Sequence, residues 1–133
     1  MSLNALCASW APRLLSVLRI MSGLLFMQHG TAKLLGIPQM DMFAKLQPFS
    51  LSWFAGVIEL VGGALLVIGL FTRPVAFVLS GLMAFAYFIA HAPRGFYPIV
   101  NAGELAALYC FVFLYFAAAG GGAWSVDAMR NKS

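Results

Sequence analysis

Four long runs of apolar residues, separated by short polar or glycine- and proline-rich stretches, dominate the chain. They cover about residues 13–35, 51–70, 74–91 and 101–119. A membrane-spanning helix needs about 20 predominantly apolar residues, and each run approaches that length. Strict alternation of polar and apolar residues is absent, which argues against strands in a membrane. The pattern predicts an all-α integral membrane protein, an antiparallel four-helix bundle in which residues 1–133 form a single domain.

The stretches between the runs contain the residues that end and begin helices. Gly36-Ile37-Pro38 is predicted to end the first helix. Thr72 is predicted to cap the third helix, just after a tight turn. Asn101 is predicted to cap the fourth, with Glu104 at its third position, where a carboxylate complements the helix dipole.

Composition supports the membrane assignment. The chain is 62% hydrophobic and 9% charged, whereas soluble domains carry about 25% charged residues. The lipid bilayer is therefore the expected surroundings of the chain. The net charge of +4 comes from scattered cations without a basic stripe, so no nucleic-acid partner is expected. Cys7 and Cys110 form no Cys-x-x-Cys motif and are expected to be inert.

Orientation follows from the cations outside the spans. Cytoplasmic loops carry the excess of lysine and arginine. The side of the two termini would hold Arg13, Arg73, Arg130 and Lys132, and the opposite side Lys33, Lys45 and Arg94. This bias predicts that both termini are cytoplasmic. The sequence leaves open whether copies of the chain form a homo-oligomer.

Few polar side chains interrupt the apolar runs, and such residues usually mark functional sites. Alternating spans bring the end of the first and third runs and the start of the second and fourth to one side of the membrane. At about 1.5 Å per residue, Glu59 lies roughly 12 Å below Leu51, and Arg19 roughly 15 Å below His29. The sequence thus predicts a polar funnel that opens on the side of the longer loops. Its candidate ligand-binding residues are Arg19, His29, Lys33, Glu59, His91, Asn101 and Glu104.

Two interpretations of Glu59 stay open. It either forms a structural ion pair with Arg19 that fixes helix packing, or acts as a proton acceptor or ligand contact. Lys33 either extends to lipid headgroups or joins the funnel, while Gly56, Gly62 and Gly63 are predicted to allow close helix packing. No Glu-x-x-His or His-x-x-x-His spacing appears, so no metal is expected.

These residues occur in an order that resembles the DoxX family of small bacterial membrane proteins. The matching elements are Arg19, Phe26-x-x-His29-Gly30-x-x-Lys33-Leu34, Glu59-x-x-Gly62-Gly63, Gly69-x-x-Thr72-Arg73, His91-x-Pro93-x-Gly95-Phe96-x-Pro98-x-x-Asn101-x-Gly103-Glu104 and Gly122-Ala123-Trp124-Ser125-x-Asp127. The resemblance implies a four-helix inner-membrane protein, similar to the DoxD-type subunit of thiosulfate:quinone oxidoreductase. It also implies a quinone-linked redox role with a redox partner protein, since the chain has no electron-carrying motif.

Three functions remain open at this stage. The first is an oxidoreductase subunit whose funnel binds a quinone headgroup, with His29 and Glu104 as hydrogen-bonding or proton-transfer groups. The second is a non-enzymatic membrane subunit or scaffold that recruits a redox or stress partner. The third is a small-molecule or proton pathway, since intramembrane carboxylates also serve in transport.

Overall fold

The computed structural model describes residues 1–131, and all regular structure in that part of the chain is helical. Lys132, one of the cations used above, lies outside the described residues. The helices are α1 (Leu3–Leu35), α2 (Leu51–Ile68), α3 (Thr72–Ala86), α4 (Pro98–Asn101), α5 (Glu104–Ala119) and α6 (Val126–Asn131). A 3₁₀ turn, Asp41–Phe43, follows α1, while a π-helical turn, Tyr87–His91, and a 3₁₀ turn, Ala92–Arg94, extend α3. The all-α prediction is confirmed.

Three helical segments of the described chain are long and apolar enough to cross a membrane: Leu3–Leu35, Leu51–Ile68 and Thr72–Arg94. The predicted fourth helix at 101–119 begins later than expected, because Ala102 adopts a left-handed conformation (φ 61°) that separates α4 from α5. The remaining α5 has 16 residues, about 24 Å of helix. A fourth span, and with it the complete four-helix bundle and its extent as one domain, stays a prediction.

The first helix is longer than predicted. It begins at Leu3 rather than near residue 13, with Ser2 as a cap that accepts a hydrogen bond from the backbone N–H of Ala5 (3.1 Å). Pro12 therefore lies inside the helix rather than in its first turn. The turns before Pro12 are exposed, so the carbonyl that loses its N–H partner is not sealed in the protein interior.

Glycines let α1 and α2 pack at close distance, as predicted. A Cβ atom on Gly30 would lie 2.6 Å from the backbone nitrogen of Leu60, and one on Gly63 would lie 2.7 Å from Met27 Cβ. Gly62 makes the same kind of approach to Leu79 of α3, at 2.7 Å. Small residues at such positions allow van der Waals packing between membrane helices.

Aromatic side chains fill the space between the α1–α2 pair and the α3–α5 pair. Phe26 of α1 makes edge contacts with Tyr109 and Phe113 of α5, with ring centroids 5.5 and 5.0 Å apart. The buried apolar residues of this core are Phe26, Leu66, Ala76, Leu79, Met83, Ala106, Tyr109, Phe113 and Phe116. These rings bury large apolar areas and fix how the two helix pairs sit together.

Candidate functional site

The deepest acid of the apolar runs pairs with a lysine. Lys33 Nζ lies 2.9 Å from Glu59 Oε1, and the two side chains are only 13% and 6% exposed. Lys33 is held by α1 and Glu59 by α2, at the level where Gly56 packs against Lys33 Cβ. Phe43, in the turn after α1, lies beneath the ammonium group at 5.6 Å. Lys33 therefore points into the protein rather than extending to lipid headgroups.

The second carboxylate oxygen of Glu59 has no partner. Glu59 Oε2 is buried and accepts no hydrogen bond from any described residue. A buried acceptor without a donor costs about 1–3 kcal/mol, and more when it is charged. Such an atom is a natural place for a hydrogen-bond donor supplied by a ligand.

His29 lies next to this pair, and Tyr109 faces it from α5. The two rings meet edge to face with centroids 6.4 Å apart. Neither side chain makes a hydrogen bond within residues 1–131, so both can bond to a ligand. Tyr109 is not among the site residues predicted from the sequence. The pattern that could have indicated it is the helical spacing of Ala106, Tyr109 and Phe113, which places all three on the face of α5 that is buried in the core.

Asn101 organises a separate hydrogen-bond network at the same end of the molecule. Its amide donates to Gly95 O (2.9 Å) and Tyr87 Oη (3.2 Å), while its Oδ1 accepts from the N–H of Gly103 (2.8 Å). His91 Nδ1 lies 3.0 Å from Asn101 O. Asn101 is fully buried and every polar atom of its side chain is bonded, which is the arrangement of a structural residue.

This network corrects the predicted cap of the fourth helix. Asn101 ends α4 instead of capping the helix that follows, and its side chain bonds two residues ahead, as in an Asx turn. Glu104 is then the first residue of α5 rather than the third helical residue. It is exposed, and no hydrogen bond or ion pair of Glu104 is found in the described chain. Five helical residues separate it from Tyr109, so the two side chains point about 140° apart.

Arg19 lies elsewhere, and the prediction that it meets Glu59 is wrong. Its guanidinium donates to the carbonyl of Leu66 (2.7 Å), which is seven residues beyond Glu59 on α2, about 10 Å along the axis. The estimate of depth used His29 as the mouth of the funnel. The first helix continues for six residues beyond His29, to Leu35. Leu51 is therefore level with a part of α1 that comes after His29, whereas the prediction placed Leu51 and His29 at the same level.

The arginine instead joins α1 and α2 to the segment after α5. Besides Leu66 it donates to Gly121 O, to Trp124 O (2.9 Å) and, at 3.4 Å, to Val67 O. Leu66 and Val67 carry two of the last four carbonyls of α2, which accept no regular i→i+4 bond from a residue of the helix; Leu66 O also accepts the N–H of the capping Gly69 at 3.2 Å. A buried cation at this position also complements the negative end of the helix dipole.

Asp127 completes this end of the molecule. Its carboxylate accepts hydrogen bonds from the backbone N–H groups of Phe71 and Thr72, both at 2.8 Å, and so caps α3 in place of the predicted Thr72 side chain. Partial burial raises the pKa of Asp127, but these hydrogen bonds and the nearby charge of Arg130 outweigh burial. The net pKa is below the ordinary value.

The seven predicted site residues therefore divide into two clusters and two separate residues. His29, Lys33 and Glu59 lie together, His91 joins Asn101, and Arg19 lies towards the opposite end; Glu104 stands apart. No three His, Cys, Asp or Glu side chains of residues 1–131 come close enough to hold a metal ion. Together with Tyr109, the cluster of His29, Lys33 and Glu59 combines a cation, an unsatisfied carboxylate oxygen and two ring side chains that make no hydrogen bond in the described chain. That arrangement can bind a small polar headgroup and exchange a proton with it.

Membrane-length helices and buried charges define a helical membrane protein. Residues 14–92, which include Arg19 and the Lys33–Glu59 pair, match the DoxX family, and the chain belongs to that family. The chain is 49% identical over 125 residues to an uncharacterized protein of Haemophilus influenzae, an alignment that covers 89% of this chain and 91% of that protein. No solved structure matches it.

Proposed function

We propose that the chain is a quinone-binding subunit of a bacterial membrane oxidoreductase, with the headgroup bound by Lys33, Glu59, His29 and Tyr109. The observation that carries the proposal is the buried, unpartnered Oε2 of Glu59. A quinol hydroxyl would supply the missing donor, and a quinone carbonyl would accept from Lys33 or His29. Apolar helix surfaces suit an isoprenoid tail.

Proton and electron transfer would be divided between this chain and a partner. A quinol that is oxidised releases protons, for which the free oxygen of Glu59 and the ring of His29 are suitable acceptors. The electrons would pass to a redox centre of a partner protein. Glu104 has no part in this form of the proposal, because its side chain points away from Tyr109.

A titration of the purified protein with a short-tailed quinol analogue, followed by quenching of tryptophan fluorescence, tests the proposal. We expect saturable binding that Glu59→Gln and His29→Ala each weaken about tenfold, the effect of one lost charged hydrogen bond. Asp41→Asn and Lys45→Met, which alter exposed loop charges, should bind as the wild type does. Binding that is not saturable, or that none of these substitutions changes, refutes the proposal.

A non-enzymatic subunit is the second candidate. It is favoured by the internal bonding of Arg19 and Asn101: each nitrogen of the guanidinium donates to a protein carbonyl, and both polar atoms of the Asn101 side chain are bonded. On this alternative the polar residues hold the helices together, and the chain recruits a redox partner. Absence of quinol binding together with stoichiometric copurification of one defined protein in mild detergent would favour it over the first proposal.

We further propose an inner-membrane location with both termini cytoplasmic. The backbone N–H of Ala123 donates to Pro12 O (3.0 Å), so the segment after α5 contacts the N-terminal half of α1. Cys7 is exposed, and the orientation is tested in the Cys110→Ser variant, in which Cys7 is the remaining thiol. A membrane-impermeant thiol reagent should then label Cys7 in inside-out vesicles and not in spheroplasts; the reverse pattern refutes the orientation.

A further inference from the structure

A surface-open cavity lies at the end of the molecule opposite the Lys33–Glu59 pair. Its volume is about 610 Å³, within the range of about 300–1,000 Å³ typical of ligand sites. The turn between α2 and α3, the glycines after α5 and helix α6 form its walls. The polar and charged residues that line it are Thr72, Arg73, Ser125, Asp127, Arg130 and Asn131.

Arg73 presents an unused hydrogen-bonding edge in this cavity. Its Nη1 donates to Ala118 O at 2.6 Å, at the end of α5. A Cβ atom on Gly120 would lie 3.3 Å from both Nε and Nη2, so these nitrogens lie over a residue without a side chain. Within the described residues neither nitrogen has a hydrogen-bond acceptor. The Nε–Nη2 edge of arginine is the geometry that binds a phosphate group through two parallel hydrogen bonds.

A second unpartnered group lines the same cavity. Thr72 is fully buried, and its Oγ1 makes no hydrogen bond of good geometry in the described chain, although it lies close enough to the Asp127 carboxylate to help lower the pKa of Asp127. Asp127 also lines the cavity, but both of its oxygens are occupied by the backbone N–H groups that begin α3. Among the described residues that line the cavity, Arg73 and Arg130 are the cations and Asp127 is the acid, so the charge of these side chains favours an anion; Arg130 also contacts the Phe71 ring.

The position of the cavity matches the level of lipid headgroups. It lies at the turn between two helices of membrane-spanning length. Trp124, beside it, is 52% exposed, and the amphipathic rings of tryptophan and tyrosine favour the membrane interface.

We propose that this cavity binds a phosphate group, with Arg73 as the bidentate donor and Arg130 and the Thr72 hydroxyl as further contacts. The phosphate belongs either to an anionic phospholipid or to a free phosphate anion. The site is separate from the proposed quinone site, so either can fail without the other.

The test is a binding titration of the purified protein in non-ionic detergent, followed by native mass spectrometry and by the thermal unfolding midpoint. The probes are short-chain phosphatidylglycerol, short-chain phosphatidylcholine and inorganic phosphate. Saturable binding of phosphatidylglycerol alone identifies a lipid site, and saturable binding of inorganic phosphate as well identifies a site for the free anion. Binding of neither, or equal binding of phosphatidylcholine and phosphatidylglycerol, overturns the proposal.

Substitutions make the result specific to Arg73. Arg73→Gln should weaken binding at least about tenfold, the loss expected for a bidentate charged pair. Arg73→Lys keeps the charge but loses the bidentate Nε–Nη2 edge, so its affinity should lie between those of the wild type and Arg73→Gln. It replaces Arg73→Gln in the test if that variant does not fold. The matched control is Arg94→Gln, an exposed arginine of the opposite end. If Arg94→Gln and Arg73→Gln weaken binding equally, the probes bind through non-specific charge attraction, and the proposed site is refuted.

Discussion

Replacement of Arg19 by methionine should be among the most destabilising single changes in this chain. The side chain is fully buried and donates to carbonyls of Leu66, Gly121 and Trp124, with Val67 at a distance too long to count. Hydrogen bonds to a charged group contribute about 1.5–3 kcal/mol each, which gives an upper sum of about 4–9 kcal/mol. Burial of the guanidinium offsets part of this sum, so we expect a net loss of about 3–5 kcal/mol.

Unfolding in mixed micelles of non-ionic detergent and SDS, followed by far-ultraviolet circular dichroism, measures this loss. Arg19→Lys should recover part of it, because an ammonium group reaches fewer of the carbonyls. Release of the segment after α5 should also expose Arg130 to trypsin faster than in the wild type. The control is Arg13→Met, on the same helix, whose guanidinium lies over Trp10 in a partly exposed position. If Arg19→Met is within about 0.5 kcal/mol of that control, the structural role argued for Arg19 is wrong.

Three further changes probe the pairing, the packing and the cap. Lys33→Met should cost about 3–5 kcal/mol by leaving Glu59 unpaired, and the double change with Glu59→Leu should restore part of it in the same micelle assay. Gly30→Ala should cost about 1–3 kcal/mol through its clash with α2, while Gly81→Ala, with no atom within 4 Å of the added Cβ, should not destabilise. Asp127→Ala should cost about 0.5–2 kcal/mol, the value of a helix cap, and thermal unfolding across a pH series measures it.

The pH dependence of the Asp127 contribution has a definite sign. The folded pKa is below the unfolded value, so this contribution is fully present above the unfolded pKa of about 3.9. It decreases as the pH falls through the folded pKa, because the carboxylate must then take up a proton. The difference between wild type and Asp127→Ala should therefore be constant near neutrality and shrink in acid. A difference that grows below pH 4 would contradict the assignment of Asp127 as an anionic cap.

Much of the helical layout could be predicted from the sequence, because its signals are local. Gly36 and Gly69 end α1 and α2 in left-handed conformations, as glycine after an apolar run suggests. The break at Ala102 had no such signal, since alanine rarely adopts a positive φ. Tertiary bonding of Asn101 with Gly95 and Gly103 holds it there.

The partners of the charged residues were harder to predict, because a buried cation can pair either with a side-chain carboxylate or with backbone carbonyls. Glu59 could pair with any buried cation, and the choice of Lys33 over Arg19 depends on the register of α1 against α2. Close glycine contacts, such as Gly30 against Leu60, set that register. The acceptors of Arg19 are backbone carbonyls, which are present at every residue and leave no trace in a sequence.

Hydrogen-bond satisfaction separates the polar residues by role. Each nitrogen of the Arg19 guanidinium and both polar atoms of the Asn101 side chain bond to protein groups, and a residue so engaged can hold helices together but has little left for a ligand. Two buried side-chain oxygens of the described chain, Glu59 Oε2 and Thr72 Oγ1, have no partner. Glu59 pairs with Lys33 through its other oxygen, and Thr72 lines the cavity that Arg73 also lines, at the opposite end of the molecule. Because an unsatisfied buried oxygen is costly, these two positions are where a bound molecule would gain most, the first by donating a hydrogen bond and the second by accepting one.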